Sequence, residues 1–225
     1  VNPASVGSAG NTVVEDYLKT IYSFSEWAEV AVTPSALAAR LGLAASSVTE
    51  MVKKLAASGL VNHVPYGAIS LTGEGHTLAL RMVRRHRLIE TWLVESFGYR
   101  WDEVHDEAEV LEHAISDRML DAIFEKLGRP TRDPHGDPIP TADGTVVFPS
   151  AVLLADAPEG HEGVVVRIRD RDPKLLRYLT AEGFRLDSTV RVVGRKPFGG
   201  ALTITLDGTE IDLGSEATGE IWVST

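Results

Sequence analysis

At 225 residues, 44% of them hydrophobic and 24% charged, the chain has the composition of a soluble globular protein and the length of two or three modules. No run of about 18 apolar residues is available to span a bilayer, and Val1 to Asn11 lacks the basic start and apolar core of a secretory signal, so the expected location is cytoplasmic. The formal net charge is −10 and there is no cysteine, which excludes disulfides, thiolate zinc sites and cysteine nucleophiles and leaves only N and O donors for any metal.

Val13, Val14, Tyr17, Leu18, Ile21, Tyr22 and Phe24 recur at helical spacing and predict an amphipathic helix over Thr12 to Trp27. Thr33-Pro34 supplies an N-cap and a proline at the first helical position for a short helix from Ser35 to Leu41, which Gly42 ends. A second short helix, Ser46 to Ser58, places Val48, Val52 and Leu55 on one face, with Ser46, Ser47, Thr49, Glu50, Lys53 and Lys54 around the rest and Gly59 as its stop. Two short helices joined by a tight turn form a helix-turn-helix candidate. An ordinary helical hairpin has the same pattern, but here two strand-like segments follow at once, Leu60 to Val64 and Ala68 to Leu71, around Pro65-Tyr66-Gly67. They read as the hairpin called a wing. Residues 1–75 are therefore expected to form a winged helix-turn-helix DNA-binding domain.

From Gly73 to Phe97 a long helix is predicted by Leu78, Met82, Leu88, Ile89, Trp92 and Leu93, and Gly98 ends it. Glu103 to Ile115 and Asp117 to Leu127 read as two further helices, with apolar faces suited to burial against each other and against a second subunit. Residues 76–145 are the expected helical dimerisation and metal-binding domain, and they hold fourteen carboxylates against nine basic side chains. Arg129 to Pro149, rich in Pro, Asp and Gly, reads as a linker. In residues 150–225, Gly163 to Ile168, Thr189 to Val193, Leu202 to Leu206, Thr209 to Leu213 and Glu220 to Val223 are strand-like, and only Pro173 to Ala181 looks helical. This suits a small, partly open β-barrel of the SH3-like kind. The fold class is α+β and multidomain.

The most informative segment is His105-Asp-Glu-Ala-Glu109-Val-Leu-Glu112-His113. At about 100° per residue, His105, Glu109, Glu112 and His113 fall at about 0°, 40°, −20° and 80°, one stripe of a helix. Carboxylates alone would read as a solvated face. A histidine at each end makes the stripe a set of potential metal ligands, because imidazole is the commonest neutral donor to transition metals. His86 and Glu90 repeat an i, i+4 pair on the preceding helix, and a helical domain builds metal centres from facing side chains. The spacing permits two ions.

The chain resembles the diphtheria-toxin-repressor family of iron- and manganese-dependent regulators over nearly its whole length. The resemblance is carried by Asp16-Tyr-Leu-Lys-Thr-Ile-Tyr22, Ser46-Ser-Val-Thr-Glu-Met-Val-Lys-Lys-Leu55, Arg84-Arg-His-Arg-Leu88, Val104-His-Asp-Glu-Ala108, Glu112-His113 and Gly136-Asp-Pro-Ile-Pro140. It implies two metal sites, one from His86, Glu90 and His105 with help from Asp170 and Asp172 of the last module, the other from Asp16, Glu109, Glu112 and His113. Where the iron branch has Met and Cys, this chain has Asp16 and Glu109, which resembles the manganese branch. Mn²⁺ sits low in the Irving–Williams order, so hard oxygen donors suit it. Some manganese sensors have Glu at the position of Lys19, so a two-ion cluster drawing on that position is not expected here. The last module is similar to the FeoA-type domain in Leu175-Leu-Arg-Tyr-Leu179 and Arg195-Lys-Pro-Phe-Gly-Gly200.

The reading is a Mn²⁺-dependent repressor of manganese homeostasis, with Fe²⁺, Co²⁺ or Zn²⁺ as substitutes, binding palindromic double-stranded operator DNA as a homodimer. Ser46, Ser47, Thr49 and Glu50 are expected to approach bases or phosphates, and Lys53 and Lys54 to bind phosphate, with Arg84, Arg85 and Arg87 available to add to these or to solvate the long helix. Without the ion, repulsion among Asp16, Glu109 and Glu112 is expected to favour an open arrangement. The alternatives are an iron-dependent repressor of the same family and a metal-transport accessory protein. A metallohydrolase lacks its His-Glu-x-x-His helix, and no serine or cysteine nucleophile motif is present, so no enzymatic activity is expected.

Overall fold

A computed structural model of the chain describes residues 9–27, 30–64 and 67–225. The tip of the expected wing, Pro65-Tyr66, lies outside the described residues. The chain divides into two compact units. One comprises the chain up to His86 with Glu112–Ser116 and Pro140–Thr145, the other Arg87–Leu111, Asp117–Ile139 and Val146–Thr225.

The first unit opens with α1 (Ala9–Ser25), α2 (Pro34–Leu41) and α3 (Ala45–Ala57). Tyr17, Leu18 and Ile21 of α1, Leu37 of α2 and Val48, Val52 and Leu55 of α3 are all buried, so the apolar stripe of each helix faces inward. The Thr33 hydroxyl accepts the Ala36 N–H at 3.1 Å, which caps α2 as its sequence requires. Gly42 ends that helix at φ +65°, a conformation open to glycine at no steric cost. β1 (Val61–Asn62) pairs antiparallel with β2 (Ser70–Leu71), and Val32 bridges Ile69 beside them. α4 (Gly73–Phe97) follows and carries the chain from the first unit into the second.

In the second unit α5 (Val104–Leu111) and α6 (Asp117–Lys126) precede a six-stranded antiparallel sheet. Its strands are β3 (Ala151–Leu153), β4 (Glu162–Ile168), β5 (Thr189–Arg195), β6 (Leu202–Leu206), β7 (Thr209–Leu213) and β8 (Ile221–Ser224), in the order β3-β8-β4-β5-β6-β7. Register shifts at Val165/Arg167 in β4 and Val192/Gly194 in β5 mark bulges, the device by which small sheets curve. α7 (Pro173–Ala181) buries Leu176 and Leu179 in the same core as Val165, Ile168, Phe184, Ile204 and Val223. This is the SH3-like module. Among the described residues no helix is long and apolar enough to cross a membrane.

Three sequence expectations are corrected. Pro173–Ala181 is not the last module's only helix, because a single turn, α8 (Ser215–Thr218), is also helical and is too short to show a period. The helix expected over Glu103 to Ile115 ends at Leu111, and Glu112 to Ala114 form a turn. The segment read as a linker is partly core: Asp133, His135 and Asp137 are buried. Gly136 there adopts φ +93°, and a Cβ at that position would fall 2.0 Å from the Val166 carbonyl oxygen, so only glycine lets the segment lie against β4.

Candidate metal centres

The first centre lies in the first unit, where α1 presents Glu15, Asp16 and Lys19 to the turn after α5. Asp16 Oδ1 is 2.9 Å from His113 Nε2, Glu15 Oε2 is 3.1 Å from His113 Nδ1, and Glu112 Oε1 is 3.4 Å from His113 Nε2. Donor atoms of Asp16, Glu112 and His113 lie within 4.8 Å of one another. Glu112 is fully buried, with Oε1 at 2.5 Å from Lys19 Nζ and Oε2 at 2.6 Å from His86 Nδ1. Burial by itself pushes the Glu112 carboxyl upward, but the hydrogen bond and charge of His86, joined by Lys19, outweigh it and hold the group below the usual carboxylate range. The turn is fixed from behind by Arg85, whose Nε donates to the Glu112 carbonyl at 2.8 Å and whose terminal nitrogen donates to that of Ile115.

This arrangement corrects two expectations. The ligand stripe is helical only as far as His105 and Glu109, and Glu112 and His113 reach their place through the turn. Uncompensated carboxylate repulsion is also absent at Glu112, which is held between two nitrogen donors.

The second centre lies in the second unit. His105 Nδ1 is 3.4 Å from Glu90 Oε1 and 3.5 Å from Asp170 Oδ2, and its Nε2 is 3.6 Å from Glu109 Oε1. Glu90 of α4, almost wholly buried, also groups with Asp133 and His135. The His135 Nε2–H donates to the Trp101 carbonyl at 2.7 Å. Its Nδ1 is buried without a hydrogen-bond partner, 3.8 Å from Glu90 Oε2. Burial disfavours a charged His135, yet the nearby charges of Glu90, Asp133 and Asp170 prevail and raise it to about 9. Asp133 is raised to about 7 by burial and by the charge of Asp137, against the pull of His135 and Arg87. The field that draws a proton to Nδ1 is one that draws a metal cation.

Asp133 and His135 are the residues that sequence reasoning missed. The signal was a histidine flanked by aspartates in Asp133-Pro-His-Gly-Asp137, masked by a composition typical of solvent loops. Local bonds fold the segment on itself and long-range bonds internalise it. Asp133 Oδ1 accepts the N–H groups of His135 and Asp137 at 2.8 and 2.9 Å, the His135 carbonyl accepts the Ile168 N–H at 2.9 Å, and Arg167 Nε meets Asp137 Oδ1 at 2.6 Å. Asp172 is occupied elsewhere, capping α7 by accepting the Lys174 N–H at 2.8 Å.

The arginines of Arg84-Arg-His-Arg87 are engaged by backbone carbonyls within the protein rather than solvating α4. Arg84 donates to the Pro140 carbonyl at 2.6 Å and Arg87 to that of Pro138 at 2.7 Å, and both are buried. On α3, Ser46, Ser47, Glu50, Lys53 and Lys54 are exposed and Thr49 is half-buried, its hydroxyl donating to the Ala45 carbonyl at 2.8 Å. Lys53 and Glu50 pair at 2.8 Å, which holds the Glu50 carboxyl below its usual range.

Both donor sets fit a divalent cation. They offer only imidazole nitrogen and carboxylate oxygen, and the buried Nδ1 of His135, which has no hydrogen-bond partner, lies 3.8 Å from Glu90 Oε2. A winged helix-turn-helix joined to such centres defines a metal-dependent DNA-binding regulator. Residues 11–69 match the family described as iron dependent repressor, N-terminal DNA binding domain. Residues 72–141 match iron dependent repressor, metal binding and dimerisation domain, and residues 152–225 match the FeoA domain. The chain is 31% identical to the diphtheria toxin repressor of Corynebacterium efficiens over 88% of its own length and 89% of that protein. It is 33% identical to the iron-dependent repressor IdeR of Mycobacterium tuberculosis over 87% and 89%. A solved structure of a manganese-dependent transcriptional repressor in complex with manganese is 52% identical, with TM-score 0.90, covering 94% of this chain and 99% of that one. The chain belongs to the diphtheria-toxin-repressor family of metal-dependent transcriptional repressors, whose members act by binding DNA and are not enzymes.

Proposed function

We propose that this repressor responds to Mn²⁺, controls manganese homeostasis, and works in the cytoplasm as a homodimer on palindromic operator DNA. The observation that carries this reading is the convergence of Asp16, Glu112 and His113 donor atoms within 4.8 Å in a chain without a single cysteine. Hard oxygen donors with one imidazole favour Mn²⁺ more than a site containing thiolate or thioether would. The likeness to a manganese-dependent repressor supports the same choice.

In this reading residues 1–75 bind DNA, 76–145 dimerise and hold metal, and 150–225 add the SH3-like module. Asp16, Glu112 and His113 are the ligands that couple α1 to the turn after α5, with His86 orienting Glu112. Glu90, His105, Asp170 and His135 hold the second ion, with Glu109 and Asp133 beside them. When bound, the cation supplies positive charge and a crosslink between side chains from separate elements. Ser46, Ser47, Thr49, Glu50, Lys53 and Lys54 then meet the major groove. Phe97, Val110 and Met119, exposed large apolar residues in and near the helices after Gly98, support dimerisation through that region.

The relatives named iron-dependent favour a second reading, an Fe²⁺ sensor. Operator binding titrated with Mn²⁺, Fe²⁺, Co²⁺ and Zn²⁺ separates the two. Mn²⁺ is expected to drive binding to completion, and activation by Fe²⁺ without activation by Mn²⁺ would reverse the assignment. Replacing Asp16 with Met exchanges a hard oxygen donor of the coupling site for a thioether, and is expected to weaken the Mn²⁺ response more than that to Fe²⁺ or Co²⁺.

A further inference from the structure

Lys19 is the one cationic side chain of α1, and it points into the first centre. Its side chain is 13% exposed, and its ammonium lies 2.5 Å from Glu112 Oε1, the oxygen that is also 3.4 Å from His113 Nε2. The other oxygen of Glu112 is held by His86 at 2.6 Å. A cluster built to receive a cation therefore already contains one, attached to the chain by a flexible four-carbon stem. An ammonium is a compact monovalent charge with three donors and no fixed coordination geometry, so it neutralises Glu112 without joining Asp16 and His113 in a shared shell.

We infer that Lys19 is a tethered competitor for the regulatory metal. In the metal-free protein its ammonium holds Glu112 Oε1 and relieves the repulsion between Glu112 and Asp16. A divalent ion gains that oxygen only as Lys19 withdraws. The tether keeps the displaced positive charge close to the ion, where repulsion across a few ångströms of partly buried protein is substantial. Both effects raise the free-metal concentration at which the first centre fills. Lys19 thereby sets the threshold of the switch, as a specificity-determining residue that never ligates the metal. The inference rests on the proposed role of Asp16, Glu112 and His113 as the coupling site.

The test is Mn²⁺ binding to the full-length protein, followed through the electron paramagnetic resonance signal of free Mn²⁺, with operator binding measured at the same free concentrations. Four proteins are compared: wild type, Lys19→Met, Lys19→Gln and Asp16→Ala. Lys19→Met removes the charge, and Lys19→Gln keeps a neutral donor for buried Glu112, so a folding defect in the first does not decide the result. Both lysine variants are expected to bind Mn²⁺ on the order of tenfold more tightly and to reach half-maximal operator binding at correspondingly lower Mn²⁺. The metal-free Lys19→Met protein should also melt at lower temperature than wild type. Unchanged or weaker Mn²⁺ binding in Lys19→Gln, with binding lost in Asp16→Ala, overturns the competitor role while the site stands. Unchanged Mn²⁺ binding in Asp16→Ala removes the site itself, and the inference with it.

Discussion

The two candidate centres use the same donor types but balance their charge differently. In the first, buried Glu112 is flanked by Lys19 and His86, and its carboxyl is held below the ordinary range. In the second, Glu90, Asp133 and Asp170 surround His135, whose Nδ1 has no hydrogen-bond partner and whose pKa is drawn up to about 9. In the first the compensating cation is an ammonium tethered to the chain, and in the second it is the proton that the carboxylates draw to His135, which can leave to solvent as an ion enters. In the proposed reading the first therefore answers to metal concentration as the switch, and the second retains its ion as the support.

The largest expected effect comes from breaking the second centre alone. Gly136→Ala forces a side chain onto the Val166 carbonyl at a left-handed backbone position, which should destabilise the fold by about 3 kcal/mol or more and displace His135. Thermal melting together with metal stoichiometry reads it. A lower melting temperature with one ion lost and the operator response kept would sharpen the distinction, and normal melting with both ions bound would remove it.

A smaller effect is expected on the DNA side, where neither centre is touched. Lys53→Ala should weaken operator binding at every sequence and lower the salt slope by about one ion, with Mn²⁺ affinity of the free protein unchanged. An unaltered slope would place Lys53 off the interface.

The smallest concerns stability of the second unit. Asp102 is buried, and its carboxyl is held below the usual range by the hydrogen bond from Arg100, against burial, with Arg177 adding to it. A depressed folded-state pKa adds stability that is complete above the unfolded value near about 3.9 and is lost as pH falls through the folded value. Because Arg100 is largely exposed, about 1 kcal/mol at most is expected. Asp102→Asn should lower stability by that amount at neutral pH, and urea melts should show the gap closing in acid. A gap that persists below the folded value would assign the loss to packing.

Much of the fold was legible because it is periodic. The apolar spacing over Gly73–Phe97 and Leu202–Leu206 fixes those elements to the residue, and Thr33-Pro34 and Gly42 mark both ends of α2. The candidate ligands on helices were legible for the same reason, since His86 with Glu90 and His105 with Glu109 are i, i+4 pairs. What escaped depends on distant partners. Arg84 and Arg87 look like surface charge until Pro140 and Pro138, more than 50 residues on, supply carbonyls for them. His135 sits in a segment whose proline and glycine content signals solvent, and only its bonds to Trp101 and β4 make it core. Lys19 differs again, because its one-turn spacing from Asp16 shows a shared helix face but not the Glu112 carboxylate waiting 93 residues later.

The most direct measurement of the division between switch and support is operator affinity with and without saturating Mn²⁺ for wild type, Asp16→Ala and His135→Ala. Wild type should gain affinity by a factor in the range of about 5 to 150 on adding Mn²⁺. Asp16→Ala should lose that gain, and His135→Ala should keep it at a higher Mn²⁺ concentration. A full gain in Asp16→Ala, or its complete loss in His135→Ala alone, would contradict the assignment of the switch to the first centre.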